Sequence, residues 1–254
     1  MNNEIQLSFI IPVYNEVLNI GRVLRNLRDA IKAHSNWKCE VIVIEDGSTD
    51  GTKKVLLAEI ASHPEIQLLL HEKNLGYTAS LKDGIAKARG KFLMYVGADE
   101  EFDCSELPSF VEPLLLGKTD VVLGVRWQRN AYKLFRFFLS VIYIFLLNYL
   151  FKLRINDYNW SQAWCRELLE RIELRSKSLF VLPEIIIKAH DLKYRIKEVP
   201  SNHRGRQFGK SSVNMKIMCH ALLDAFIFWH YRNLKTYTPA IEGKTSESRL
   251  PSCV

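Results

Sequence analysis

The stretch that decides the fold is CEVIVIEDGSTDGT, residues 39–52. Its apolar half predicts a buried strand that ends at Asp46-Gly47, and Asp50 is placed to cap a helix beginning near Thr52. A strand that passes through a short acidic loop directly into a helix is typical of a βαβ unit. The sequence on either side decides whether this unit repeats.

The same order of strand and helix does recur on both sides. LSFIIPVYN (7–15) predicts an earlier strand, whereas IQLLLHEKN (66–74), KFLMYVGAD (91–99) and TDVVLGVRWQRN (119–130) predict later ones. Helical patterns separate the first four strands, and Gly90 is expected to close the third helix as its C-terminal glycine. We therefore predict an α/β fold with a mainly parallel sheet flanked by helices, whose ligand lies beyond the carboxyl ends of the strands.

The bulk composition excludes several classes of protein. The chain has 254 residues, 48% hydrophobic and 25% charged, which is typical of globular proteins. Its formal charge of +7 indicates an anionic partner, such as a nucleotide, a phospholipid surface or nucleic acid. The five cysteines form no Cys-x-x-Cys pair, which argues against a disulfide framework or a zinc ribbon and favours a reducing compartment. MNNEIQLSF does not have the pattern of a signal peptide, so we expect the cytoplasmic side.

The second half of the chain is richer in apolar residues. Residues 137–151 carry no charge, and a helix over about 133–152 is expected either in the core, in the membrane interface or, less easily for its length, across the membrane. An aromatic-rich helix at 215–240 has basic flanks that suit a lipid boundary. We predict a catalytic-type domain over 1–214, this C-terminal helix, and a disordered polar tail over 241–254.

Seven short motifs follow one another along the chain. They are SFIIPVYNE, VIVIEDGSTDGT, NLGYTASLKDGIAKARG, YVGADEEFD, LGVRWQRN, DYNWSQAWCRE and RGRQFGKSS. In this order they resemble the family 2 glycosyltransferases of the GT-A fold, in particular the dolichyl- or polyprenyl-phosphate mannosyl- and glucosyltransferases. The resemblance covers residues 5 to about 215.

The resemblance implies a nucleotide-sugar donor, bound by the loops after the first strands. Tyr14 offers a ring to the base, and Glu16 can accept a hydrogen bond from a base N–H or a ribose hydroxyl. Asp46 stands where the family's aspartate contacts the base. The remaining candidates are loop residues that bring the backbone close to the donor: Pro12, Asn74, Gly76 and Ala98.

The acidic motif GADEEFDC, residues 97–104, departs from the family pattern DADGQFDP. Gly97 replaces the first aspartate, and Glu101 replaces the glutamine. The resemblance implies Mg²⁺ or Mn²⁺ on the donor diphosphate, and we expect Asp99 and Glu101 to hold the cation. A weakened metal site in a non-catalytic sugar-nucleotide-binding relative is the alternative.

Basic residues later in the chain suit phosphate. Arg126 matches the arginine of the family's GSR motif, and Arg206 and Lys210 belong to a segment like the family's R-x-x-G-x-S-K. We expect these three to bind the diphosphate or a lipid phosphate. Asp157 is expected near the acceptor as a catalytic residue beside Asp99 and Arg126, and Glu184 is a second acidic candidate facing the site. For each of these two carboxylates, a structural hydrogen-bonding role is the alternative.

The expected reaction is transfer of a sugar to a polyprenyl phosphate at a membrane surface, with inversion at the anomeric carbon. The alternative acceptor is a hydroxyl of a glycan or of a lipid-linked saccharide, which would require a carboxylate to take the proton. Nucleic acid is not an expected partner, because the basic residues are not concentrated on one helix and no RNA- or DNA-binding motif is present.

Overall fold

The computed structural model describes residues 4–128, 134–206, 208–209, 215–234 and 237–239. Lys210 and the predicted tail at 241–254 lie outside these residues. The division at residue 214 therefore stays a prediction.

One sheet organises the described part of the chain. Its strands are β1 Leu7–Val13, β2 Cys39–Glu45, β3 Ile66–Leu70, β4 Phe92–Tyr95, β5 Val121–Gln128, β6 Gln162–Cys165 and β7 Ile196–Asn202. They lie in the order β3-β2-β1-β4-β6-β5-β7. β6 is antiparallel to both of its neighbours, and every other pair of neighbours is parallel. The predicted α/β fold with a mainly parallel sheet is therefore confirmed.

Helices follow most of the strands. They are α1 Ile20–Lys32, α2 Thr52–Ser62, α3 Tyr77–Lys87, α4 Leu107–Leu115, α5 Leu134–Phe151, α6 Arg166–Arg171, α7 Val181–Asp191 and α8 Met215–Arg232. A helix follows each of β1 to β3, as the alternating pattern predicts, and α4 follows β4. β6 and β7 were not predicted, because β6 has only four residues and β7 alternates weakly between buried and exposed positions.

Two glycines bring the layers close together. At Gly84 of α3, a Cβ would lie 2.4 Å from Ile10 Cγ2, so the helix packs directly on β1. Gly90 does not close α3 as expected, since the helix ends at Lys87 and Gly90 lacks the left-handed backbone of a helix-ending glycine. A Cβ at Gly90 would instead lie 2.7 Å from the backbone of Leu7, so close packing against β1 requires this glycine.

The apolar helices α5 and α8 pack on each other. Leu147 and Phe151 of α5 and Phe228 of α8 are buried, and the Phe151 and Phe228 rings lie 5.9 Å apart. Their other faces expose large apolar side chains, which include Phe138, Ile142, Phe145, Tyr149, Leu223, Phe226 and Ile227. Neither helix is therefore wholly a core helix. Within the described residues, no helix combines the length and the hydropathy that crossing a membrane requires.

Candidate active site

The loops at the carboxyl ends of β1, β2 and β4 converge on one cavity of about 920 Å³. Eleven of the predicted site residues line it together: Pro12, Tyr14, Glu16, Asp46, Asn74, Gly76, Ala98, Asp99, Glu101, Arg126 and Arg206. Asp157 is not among its described lining residues, and Lys210 lies outside the described part. The parallel sheet explains this convergence, because its strand ends share one edge.

The β1 and β2 loops are tied to each other. Asn15 has a left-handed backbone, and its side-chain oxygen accepts a hydrogen bond from Thr49 N at 2.8 Å. Asp50 accepts from Thr52 N at 3.0 Å at the start of α2, as predicted, and also from Val17 N at 3.2 Å. These bonds hold the wall of the cavity that carries Tyr14 and Glu16.

Asp46 is buried and holds the next loop. Its carboxylate accepts hydrogen bonds from Leu75 N and Gly76 N, both at 2.8 Å. Gly47 has φ +66°, and a Cβ there would lie 2.5 Å from the carbonyl carbon of Lys73. The loop that carries Asn74 and Gly76 therefore lies directly on the end of β2.

The four carboxylates of the acidic motif divide into two pairs. Glu100 points its carboxylate to Arg22, with Oε2 2.7 Å from Nε, and Asp103 accepts from Ser105 N at 3.0 Å. Asp99 and Glu101 instead line the cavity. Only the second pair is therefore available to a ligand.

Burial raises the pKa of Asp99 to about 6, and the neighbouring Glu101 adds to this shift while Arg206 opposes it. At Gly97, a Cβ would lie 2.9 Å from Asp99 Oδ1. The carboxylate of Asp99 thus occupies space that any side chain at position 97 would need.

These residues fit a divalent cation that the ligand helps to hold. Within the described residues, no group of three or more His, Cys, Asp or Glu side chains is arranged to bind a metal. Mg²⁺ in phosphate-transfer sites is commonly held by one or two carboxylates together with the substrate's phosphate oxygens. Asp99 and Glu101 match that donor set, and His203 Nε2 lies 3.2 Å from Glu101 Oε2.

Arg126 is clamped by Asp157. The Arg126 Nε and Nη2 atoms lie 2.7 and 2.8 Å from the two carboxylate oxygens, and the guanidinium carbon lies 4.9 Å from the Trp160 ring centre. The Asp157 side chain is only 1% exposed. This geometry favours the structural alternative for Asp157, because its carboxylate is buried against the arginine that does line the cavity.

Arg206 lines the cavity next to Glu16 of the loop after β1. It forms an ion pair with Glu16, and its Nε donates to Phe208 O at 2.9 Å. Burial raises the pKa of Glu16, although hydrogen bonds from Asn19 and Arg206 act against this shift. Glu16 can therefore accept a hydrogen bond from a bound ligand only if it shares its carboxylate with Asn19 and Arg206 or releases one of them.

Glu184 does not face the cavity as expected. It is buried in α7 and accepts hydrogen bonds from Arg175 N at 2.9 Å and Ser176 N at 2.8 Å. These bonds hold the main chain at residues 175–176, and the next residue, Lys177, lines the cavity. The sequence does not predict Lys177, since no motif surrounds it, and it predicts no role for His203, which directly precedes the basic segment RGRQFGKSS.

The cavity also extends between α5, α7, the segment before α7, and α8. The apolar and aromatic lining residues from these elements are Tyr143, Leu179, Leu182, Ile217, Met218 and Ala221, and the polar ones are Ser140, Lys177, Ser178 and His220. The cavity thus joins a carboxylate pair and Arg126 to a partly apolar region between the two helices with exposed apolar faces.

Comparisons with known proteins agree with this geometry. Residues 8–159 match the family described as glycosyl transferase family 2. Dodecaprenyl-phosphate galacturonate synthase of Rhizobium johnstonii is 24% identical over 225 residues, which are 87% of this chain and 65% of the relative. Undecaprenyl-phosphate 4-deoxy-4-formamido-L-arabinose transferase of Salmonella choleraesuis is 27% identical over 86% of this chain and 66% of its own length. The chain thus spans slightly less than two thirds of the length of these relatives.

A solved structure shares the fold. Glucosyl-3-phosphoglycerate synthase from Mycobacterium tuberculosis, in complex with Mn²⁺, uridine diphosphate and phosphoglyceric acid, superposes with a TM-score of 0.68. The match covers 88% of this chain and 78% of that one, at 19% identity. Because the family match covers more than half of the 254 residues and the sheet has the expected topology, the chain belongs to glycosyl transferase family 2.

Proposed function

We propose that this chain transfers a sugar from a nucleotide-sugar donor to a polyprenyl phosphate at a membrane surface. The observation that carries the proposal is one cavity that joins Asp99 and Glu101 to Arg126 and then to the partly apolar region between α5 and α8. The carboxylate pair suits the diphosphate of the donor, because a cation can bridge them. Arg126 suits the phosphate of the acceptor, and the region between α5 and α8 suits the lipid chain. The names of the two bacterial relatives, both of which specify a polyprenyl phosphate, support the same acceptor.

The donor occupies the loops after β1, β2, β3 and β4 in this proposal. Tyr14 contacts the base, and the nucleoside contacts Pro12 at the end of β1 and the remaining loop residues, which are Glu16, Asp46, Asn74, Gly76 and Ala98. Asp99 and Glu101 hold Mg²⁺ or Mn²⁺, which when bound offsets the charge of the diphosphate leaving group. When the donor binds, Arg206 gives up its ion pair with Glu16 and contacts the phosphates of the donor.

The acceptor phosphate binds Arg126. Because the second pKa of a phosphate monoester is near 6, this acceptor is already an anion at neutral pH and needs no strong general base. The residues need only position the two reactants and shield their charges. A phosphate oxygen then bonds to the anomeric carbon as the bond to the diphosphate breaks, which inverts the configuration. The burial of Asp157 agrees with a mechanism in which it orients Arg126 and takes no proton.

The membrane contact is made by the outer faces of α5 and α8. Their exposed aromatic and aliphatic side chains suit the interface of a bilayer, and the formal charge of +7 favours anionic lipids. The chain then binds peripherally, with the apolar end of the cavity next to the lipid, on the cytoplasmic side.

A donor screen tests the proposal. The protein is incubated with Mn²⁺, a polyprenyl phosphate in detergent and a panel of radiolabelled sugar nucleotides, and the organic phase is analysed for lipid-linked sugar. We expect one donor to give a product that mild acid cleaves, and Asp99→Ala to abolish it. Binding of a nucleotide without transfer from any donor would favour the non-catalytic alternative. A product on a soluble glycan alone would favour the hydroxyl acceptor.

A further inference from the structure

His71 lies against the carboxylate that holds the cavity loop. It directly follows β3, and its backbone N–H donates to Glu45 O at 2.9 Å, which places it beside the end of β2. Its ring Nδ1 lies 2.8 Å from Asp46 Oδ1, and Nε2 lies 3.1 Å from Asp83 Oδ2 on α3. One imidazole therefore connects β2, β3 and α3 behind the cavity wall.

The two contacts differ in their surroundings. The Asp46 side chain is 3% exposed and that of His71 is 11% exposed, whereas the Asp83 side chain is 50% exposed. An ionised carboxylate only accepts hydrogen bonds, so each contact requires hydrogen on the ring nitrogen that faces it. Asp83 can turn to water if Nε2 carries none, whereas the Asp46 carboxylate is held in place by the amides of Leu75 and Gly76. Nδ1–H is therefore the contact on which the site depends.

Asp46 in turn determines where the loop lies. Oδ1 accepts from both His71 and Leu75 N, and Oδ2 accepts from Gly76 N. Gly76 and Asn74 line the cavity beside Asp46 itself. A change in the orientation of this one carboxylate would release two amide groups of the loop.

We propose that His71 is a positioning residue for the nucleotide site: its Nδ1–H fixes the carboxylate of Asp46, and through it the loop of residues 74–76. This inference rests on the proposed function, because it assumes that the loop binds a nucleotide. His71 itself does not line the cavity among the described residues, so it acts only through Asp46.

Two replacements of similar size separate the two ring contacts. In His71→Asn the amide nitrogen takes about the position of Nδ1 and keeps the bond to Asp46, whereas in His71→Gln it takes about the position of Nε2 and keeps the bond to Asp83. Asp83→Asn serves as a control, because its side-chain oxygen still accepts from Nε2–H. Calorimetry with UDP and with GDP in Mn²⁺ measures nucleotide binding. Hydrogen exchange of the peptide over residues 74–77 in the ligand-free protein measures how firmly the backbone amides of the loop are held.

We expect His71→Asn and Asp83→Asn to bind the nucleotide within about threefold of the wild type, and His71→Gln to bind it about tenfold more weakly, as loss of a hydrogen bond to a buried charge implies. Faster exchange over 74–77 should accompany the weaker binding in His71→Gln alone. If His71→Gln and His71→Asn behave alike in both measurements, the inference is wrong while the proposed function stands. If the wild type binds neither nucleotide and the donor screen yields no product, the proposed function fails, and the exchange rates alone decide whether His71 holds the loop.

Discussion

Gly97 leaves the space beside the main chain that the Asp99 carboxylate occupies. The family pattern has an aspartate at this position. A Cβ at Gly97 would lie 2.9 Å from Asp99 Oδ1, so the Asp99 carboxylate takes its present position beside a glycine. Glu101 then supplies the second carboxylate.

Gly97→Ala is therefore expected to weaken the site. The added methyl group would displace the Asp99 carboxylate, and misplacing a reacting or ligating group by about 1 Å can cost about 100-fold in rate. We expect transfer to fall at least about tenfold and Mn²⁺ to bind more weakly in the presence of the donor. Gly21→Ala is the matched control, since its Cβ would meet nothing closer than 3.5 Å. Equal activity in the two variants would contradict this account of Asp99.

Asp157→Asn distinguishes a positioning residue from a base. The amide keeps the shape of the carboxylate but loses its charge, so Arg126 is held less firmly. We expect a KM for the acceptor phosphate raised about tenfold, with nucleotide affinity unchanged, because charge-assisted hydrogen bonds contribute roughly 1.5–3 kcal/mol. Steady-state kinetics with each substrate varied in turn measure this. A fall in kcat with an unchanged acceptor KM would indicate that Asp157 takes a proton.

At the scale of elements, the start of β2 depends on a buried carboxylate. Glu40 accepts hydrogen bonds from Ser8 Oγ and Arg89 N, both at 2.6 Å, and from Gln67 Nε2 at 2.8 Å. Burial acts to raise the pKa of Glu40, but these hydrogen bonds outweigh it and the pKa is lowered. Glu40 thereby joins β2 to β1, β3 and the segment before β4.

Glu40→Gln should destabilise the fold in a pH-dependent way. A folded-state pKa below the unfolded value of about 4.5 stabilises the protein above that pH, and this contribution is lost as the pH falls through the folded-state pKa. We expect the variant to lose about 1–3 kcal/mol of unfolding free energy at pH 7, with the difference from wild type shrinking below about pH 4.5. Urea denaturation at several pH values measures it, and a difference that grows with acid would contradict the assignment.

The sequence predicts those elements whose residue pattern lies within one short stretch of the chain. β1 to β5 and the loops that follow β1, β2 and β4 could be placed, because each apolar run leads directly into its polar residues. The roles of Asp157 and Glu184 could not, since their partners at Arg126 and at residues 175–176 are set by the fold. The role of His71 could not be predicted for the same reason, because its partners Asp46 and Asp83 lie 25 and 12 positions away in the chain.

At the scale of the whole molecule, the exposed faces of α5 and α8 form one apolar surface in this account. Phe145 is 71% exposed and Phe226 47% exposed, so replacing them should not disturb the core. We expect the double change Phe145→Glu and Phe226→Glu to reduce flotation with anionic liposomes strongly, with Tm nearly unchanged, because buried aromatic area and lipid charge both favour binding.

Leu57→Glu provides the control for this surface, since Leu57 is an exposed apolar residue, 49% exposed, on α2. It should float as the wild type does. Failure of the wild type to float, or an equal loss in both proteins, would contradict the assignment of the membrane contact to α5 and α8.

The most direct test of the central claim compares two acceptors that differ only in the phosphate. Wild type and Asp99→Asn are incubated with the donor found in the screen, Mn²⁺, and either a polyprenyl phosphate or the corresponding polyprenol. We predict sugar transfer by the wild type to the polyprenyl phosphate only, with an inverted anomeric configuration in the product, and no transfer by Asp99→Asn. Transfer to the polyprenol at a similar rate, or undiminished transfer by Asp99→Asn, would contradict the account.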